Sequence, residues 1–150
     1  MDDRIRVTLD QGVADVRLVR ADKMNALDDD MFEALRRTGE SLKTMPGVRA
    51  VVLSGEGRAF CAGLDTANFG KMASGQRGGA RLLQGERTPG GSNPPQHTVM
   101  VWRELPVPVI AAVHGVALGG GIQIALGADI RIVSPDVKMS VLEVKWGLVP

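Results

Sequence analysis

Val107-Pro108-Val109-Ile110-Ala111-Ala112-Val113, followed by His114-Gly115-Val116-Ala117-Leu118-Gly119-Gly120-Gly121, decides the fold class. The apolar, valine-rich run reads as a buried strand, and residues 122–126 read as a helix that begins inside the glycine turn. A second unit of similar plan spans 48–64. There the strand is Val48–Leu53, the turn is Ser54-Gly55-Glu56-Gly57-Arg58, and Phe60-Cys61-Ala62-Gly63-Leu64-Asp65 follows. Downstream of the first unit, Ile130–Val133 and Val137–Ser140 read as short strands. Upstream of the second, Met31, Leu35, Leu42 and Met45 share one helical face, with Asp28-Asp29-Asp30 as cap and first turn and Pro46-Gly47 as the stop. The chain starts with a hairpin: Ile5, Val7 and Leu9 alternate with polar residues, Asp10-Gln11-Gly12 turns, and Val13 to Val19 returns. Strands alternating with helices argue for one α/β domain over residues 1–150.

Residues 70–97 break this rhythm. Seven glycines and three prolines fall there, and the stretch reads as a mobile loop carrying at most one short helical piece. Thr98–Leu105 reads as a helix stopped by Pro106 and Pro108, and His97 is placed in the loop.

Composition removes whole classes. The chain has 150 residues, 44% hydrophobic and 23% charged, close to the globular average. Lys and Arg number 18 against 17 Asp and Glu, so the net charge of +1 gives no basic excess for nucleic acid. No apolar run is long enough for a membrane helix, and the N-terminus lacks a signal peptide's apolar stretch. A single cysteine fits a reducing compartment, and a cytoplasmic location is expected. Glycine is 19 of 150 residues, well above its usual share, which suggests backbone brought close to something.

Small residues at a strand-to-helix turn expose backbone N–H groups, and the helix dipole adds positive potential there. Two such turns side by side can aim two N–H groups at one oxygen. That is an oxyanion hole, in which each donor contributes roughly 3 to 4 kcal/mol to a transition state. The alternative for either turn alone is tight helix–strand packing. A dinucleotide loop is excluded by spacing: counted from Gly119 the third glycine of G-x-G-x-x-G falls on Ile124, and counted from Gly115 the second falls on Ala117. No Gly-Lys-Ser/Thr occurs, so a Walker loop is excluded too.

Phe60–Asp65 and His114–Gly121 resemble the two signature turns of the enoyl-CoA hydratase/isomerase (crotonase) superfamily. Arg20 to Leu27, with Asn25-Ala26-Leu27, resembles that family's N-terminal segment, and Leu142 to Pro150 resembles the stretch that carries a catalytic carboxylate. The four motifs occur in the family's order and cover essentially the whole chain. The resemblance implies a crotonase-like (ClpP/crotonase) spiral of β-β-α units, followed in the family by C-terminal helices that build homotrimers, often paired into hexamers. The chain ends before those helices, so the expectation is an N-terminal core without the trimerisation part.

The resemblance also implies an acyl-CoA thioester substrate and an enolate held at its thioester oxygen, with coenzyme A entering as part of the substrate and no separate cofactor or metal. By motif position, the oxyanion N–H groups are those of Leu64 and Gly120. The family's hydratases use two carboxylates; one position is Glu143 here, and the other is Gln123, an amide that can hold a water but cannot accept its proton. A single carboxylate resembles the family's isomerases, in which one group carries a proton between two carbons. The adenine of CoA would lie near the backbone of Cys61 and Ala62, with Lys23 toward the phosphates. Asp65 is read as a helix cap or a ligand contact, His114 as a hydrogen-bonded structural residue, and Trp146 as a wall of the core or acyl pocket. Lys71, Arg77, Arg81, Arg87 and Arg103 outnumber Glu86 and Glu104 between 70 and 104, which either attracts CoA phosphates or is a solvated loop. Cys61 has no histidine placed beside it by sequence and is read as a packing residue. The competing function classes are a non-catalytic acyl-CoA-binding homologue and another crotonase chemistry, such as decarboxylation or thioester hydrolysis.

Overall fold

The structure is a computed structural model, and it describes residues 4–66 and 86–147. In chain order the elements are β1 (Ile5–Asp10), β2 (Val13–Leu18), α1 (Asp29–Leu42), β3 (Ala50–Gly55), α2 (Pro94–Arg103), β4 (Val109–Val113), β5 (Val116–Leu118), α3 (Gly120–Gly127), β6 (Ile130–Val133) and β7 (Lys138–Ser140). Short 3₁₀ turns at Ala21–Lys23 and Leu142–Trp146 complete the described part.

β1 and β2 form the antiparallel hairpin that the alternation predicts, with Ile5 opposite Leu18 and Asp10 opposite Val13. Gln11 and Gly12 make the turn at φ 46° and 86°, the left-handed backbone whose twist suits a two-residue hairpin. β2, β3, β4 and β6 then pair in parallel, giving the order β1-β2-β3-β4-β6, and β5 pairs with β7 in a separate parallel ribbon. Parallel pairing needs crossovers, and the helices read from the sequence supply them.

The core lies on one face of the larger sheet. Ala14, Val16 and Leu18 of β2, Val51 and Leu53 of β3, and Val109 and Ala111 of β4 are fully buried, together with Met31 and Leu35 of α1 and Trp102 of α2. Each large side chain so buried contributes about 1.5–3 kcal/mol. The intervening Val52 and Ile110 are only half-buried, so the runs read as buried strands bury alternate residues.

Asp28 caps α1 by accepting from the Met31 N–H at 2.9 Å. α2 corrects the sequence reading at 94–97. It begins at Pro94, not Thr98, and ends at Arg103, and Asn93 and Gln96 form a reciprocal capping box. Pro94 and Pro95 read as loop by composition, yet proline is favoured at the first helical positions, where an N–H would have no intrahelical acceptor anyway. His97 is therefore a buried helical residue. The rest of the predicted loop up to residue 85, with Lys71, Arg77 and Arg81, lies outside the described residues. β3 and β4 each begin two residues later than predicted, the latter after Pro108, which has no N–H for a ladder. Among the described residues no helix is long and apolar enough to cross a membrane.

Candidate active site

The first glycine turn is held on two sides. Cys61 N–H donates to Val116 O at 3.0 Å and Leu118 N–H to Cys61 O at 3.1 Å, which lays the turn along β5. On the other side, Leu27 N–H donates to Gly63 O at 2.8 Å and Asp65 N–H to Leu27 O at 3.0 Å. These two bonds form a parallel bridge between Leu27 and Leu64. In such a bridge Leu27 bonds to the residues flanking Leu64, so the N–H of Leu64 itself points away from Leu27. It has no acceptor among the described residues.

Glycine is required where the two turns touch. Gly63 has φ 86°, and a Cβ there would sit 2.5 Å from Leu118 O. A Cβ on Gly121 would sit 2.4 Å from Cys61 O. These close approaches put the first turn directly against the start of α3. Gly119, at φ 51°, ends β5 and receives the first helical hydrogen bonds, from Ile122 and Gln123. Gly120 follows as the first helical residue, and its N–H has no intrahelical acceptor. The amides of Leu64 and Gly120, neither with an acceptor among the described residues, thus lie on adjoining turns.

Glu143 arrives from the 3₁₀ turn after β7. A Cβ on Gly119 would lie 3.3 Å from its Oε1 and 3.6 Å from its Oε2, so the carboxylate lies against the residue preceding Gly120. Gln123, one turn into α3, donates its Nε2–H to Glu143 Oε1 at 2.5 Å. Glu143 Oε2 is buried without a hydrogen-bond partner among the described residues. One oxygen of this carboxylate is fixed by the amide, and the other is unbonded among the described residues.

The remaining predicted residues fall around this centre. The Ala62 N–H donates to Met24 O at 2.9 Å, which sets the 3₁₀ turn carrying the exposed Lys23 beside Ala62. Cys61 is fully buried, its Sγ–H donates to Asn25 O at 3.1 Å, and burial pushes its thiol pKa up to about 12 against a small opposing effect of the Gly63 N–H. Asp65 is buried and its Oδ2 accepts from Arg20 Nη1 at 2.6 Å. The segment it was expected to cap, past residue 66, lies outside the described residues. His114 Nε2 bonds Gly57 O at 2.9 Å, as a structural histidine does. Arg87 bonds Gly91 O at 2.8 Å. The Trp146 side chain lies outside the described residues.

Two residues with no individual role in the sequence reading hold the site together. Asn25, fully buried at φ 54°, accepts from Arg20 N–H and donates Nδ2–H to Glu56 O and Ala59 O at 3.0 and 2.8 Å. Arg20 reaches Ala26, Asp28 and Asp65. Away from the site, ligand atoms of Glu40, His97 and Glu104 lie within 4.8 Å of one another. Lys43 Nζ bonds both carboxylates there, at 3.0 and 2.7 Å, and already supplies the cation they need.

Residues 8–150 match the enoyl-CoA hydratase/isomerase family. A probable enoyl-CoA hydratase of Bacillus subtilis is 32% identical over 146 residues, covering 97% of this chain and 52% of that protein. The peroxisomal Delta(3,5)-Delta(2,4)-dienoyl-CoA isomerase of Arabidopsis thaliana is 31% identical over 146 residues, covering 97% of this chain and 52% of that protein. The crystal structure of an enoyl-CoA hydratase from Shewanella pealeana superposes with a TM-score of 0.86 at 28% identity, covering 98% of this chain and 52% of that one. The fold is that of the crotonase class of α/β proteins. The chain belongs to the enoyl-CoA hydratase/isomerase family. It spans about half the length of the curated relatives it matches.

Proposed function

We propose that the protein acts on acyl-CoA thioesters of the 2- or 3-enoyl type, holding an enolate oxygen between the N–H groups of Leu64 and Gly120 while Glu143 moves the proton. The observation that carries this reading is the placement of one half-buried carboxylate, with one bonded and one unpartnered oxygen, against the turn that presents the second free amide. In a 3-enoyl thioester the C–H bond next to the polarised carbonyl breaks, in a 2-enoyl thioester the C–H bond just beyond the double bond; the proton goes to Glu143 Oε2, and the electrons pass through the conjugated system to the oxygen held by the two amides. Return of that proton to a different carbon isomerises the double bond. Gln123 cannot serve as a second base, so its bond to Glu143 favours double-bond migration through one carboxylate over two-carboxylate hydration.

The CoA portion is read as lying along Cys61 and Ala62, with Lys23 toward the phosphates and Asp65 holding the turn from behind. CoA enters with the substrate, and no further cofactor or metal is invoked. With the family's C-terminal part present, a homotrimer or hexamer in the cytoplasm is the expected setting. The test incubates the full-length gene product with a short 2-enoyl-CoA and with its 3-enoyl isomer. An isomer of unchanged mass supports the reading, and gain of one water identifies hydration with Gln123 holding the water. Tight binding without turnover of either would overturn the reading in favour of a CoA-ester-binding homologue. Release of free CoA would point to thioester hydrolysis, and loss of carbon dioxide from a carboxyacyl-CoA offered in parallel would point to decarboxylation.

A further inference from the structure

We propose that Arg20 is a positioning residue that sets the aim of the Leu64 N–H, an inference that rests on reading that amide as an oxyanion donor. Leu64 makes no side-chain bond that could orient its own backbone. Its direction is fixed by the Leu27–Leu64 bridge, and Arg20 ties the two chain segments of that bridge together from one guanidinium. Nη1 donates to Ala26 O at 2.9 Å, the residue before Leu27, and to Asp65 Oδ2 at 2.6 Å, the residue after Leu64. Nη2 lies 3.3 Å from Asp28 Oδ2, the residue after Leu27. The Arg20 backbone is itself anchored, its N–H on Asn25 Oδ1 and its O accepting from Asn25 N–H, both at 2.9 Å.

The side chains of Arg20 and Asp65 are 15% and 11% exposed, so the pair is shielded and its geometry is held. A planar guanidinium can bond several acceptors in fixed directions, whereas a lysine ammonium is a point charge that cannot hold the same fork. With Arg20 gone, the Asp65 carboxylate is left buried without its charge partner. The tie between Asp65 and the Ala26–Asp28 segment through one guanidinium is then lost, and the backbone after Leu64 is less firmly held. A displacement on the order of 1 Å at an aimed group can lower a rate by about 100-fold without touching the chemistry.

The test uses the full-length protein and a conjugated dienoyl-CoA, whose absorption band moves to longer wavelength when donors polarise its thioester carbonyl. The wild type and Glu143→Gln should both shift the band, while only the wild type turns over. Arg20→Lys should lose about 10- to 100-fold in kcat with KM nearly unchanged and should show a reduced band shift. A folded Arg20→Lys or Arg20→Met variant with wild-type kcat and band shift would overturn the proposal while leaving the oxyanion reading intact. Absence of any shift in the wild type would overturn the oxyanion reading itself. If the Arg20 variants do not fold, Asp65→Leu supplies the same comparison, and a full band shift there counts against the proposal.

Discussion

Gln123 Nε2 sits 2.5 Å from Glu143 Oε1, so an amide one turn into α3 clamps the carboxylate that arrives after β7. Hydrogen bonds to a charged group contribute roughly 1.5–3 kcal/mol, enough to choose one carboxylate orientation over its alternatives. Replacing Gln123 with methionine keeps the volume and removes the donor. The expected result is a fall in kcat of about tenfold or more with KM little changed. Glu143→Ala should remove about 10²- to 10⁴-fold. Steady-state kinetics on the intact protein with both enoyl isomers measures both. Equal losses in the two variants would mean that Glu143 transfers no proton unless the Gln123 bond holds it in place.

The glycines at the turn contact test the packing independently of the chemistry. Gly121→Ala drives a methyl to 2.4 Å from Cys61 O, and overpacking of this kind costs roughly 1–3 kcal/mol. Gly63→Ala adds to a similar clash the left-handed penalty of φ 86°, roughly 1–2 kcal/mol more. Gly91 has the same φ of 86° with nothing within 4 Å, so Gly91→Ala isolates the backbone penalty. Denaturant unfolding should rank the stability losses as Gly63 largest, Gly121 next and Gly91 smallest. A Gly63→Ala loss no greater than that of Gly91→Ala would show that the two turns do not touch as described.

The glycine turns were legible because their signal, a run of small residues, is local, although the backbone each glycine meets, Leu118 for Gly63 and Cys61 for Gly121, is not. The Asp28 cap was legible for the same reason: donor and acceptor lie three residues apart. Arg20 and Asp65 are separated by 45 residues and Asn25 and Ala59 by 34, and nothing in their local sequence announces the partner. His97 failed in the same way. Its Nε2 meets Glu40 Oε1 at 2.6 Å only because α2 packs against α1. The Asn93-Pro94-Pro95-Gln96 start of α2 did carry a local signal, a cap residue three before a glutamine, and proline content masked it.

Asp28 links the helix cap to the arginines that surround it. Burial works against its ionised form, but the Arg4 hydrogen bond, the Met31 N–H and the Arg20 charge outweigh it and hold its pKa below the ordinary carboxylate value. A depressed folded value means that stability is fully present above the unfolded pKa and is lost as pH falls through the folded one. Asparagine caps a helix as well as aspartate does. Asp28→Asn should therefore be less stable than wild type near neutrality and converge with it in acid. Asp28→Ala should lose about 1 kcal/mol more at every pH. Thermal unfolding across the acid range measures both, and parallel curves for wild type and Asp28→Asn would refute the charge contribution.

Cys61 provides a clock for opening of the first turn. Only the thiolate reacts with alkylating reagents, and a thiol with a pKa pushed up to about 12 is ionised in only about one molecule in ten thousand at pH 8. Its Sγ is also fully buried and bonded to Asn25 O. Native labelling should therefore wait for an opening that separates the Phe60–Asp65 turn from the Asn25 segment. Such an opening exposes the sulfur and returns its pKa to the ordinary thiol range together. The labelling rate should fall with added acyl-CoA, which on the proposed reading bridges that same turn, and should rise in Arg20→Lys, in which the segments are less firmly tied. Mass spectrometry of timed iodoacetamide quenches gives the rate. Labelling as fast as that of an exposed cysteine, with no effect of acyl-CoA, would show that the turn opens freely and that neither Arg20 nor ligand holds it closed.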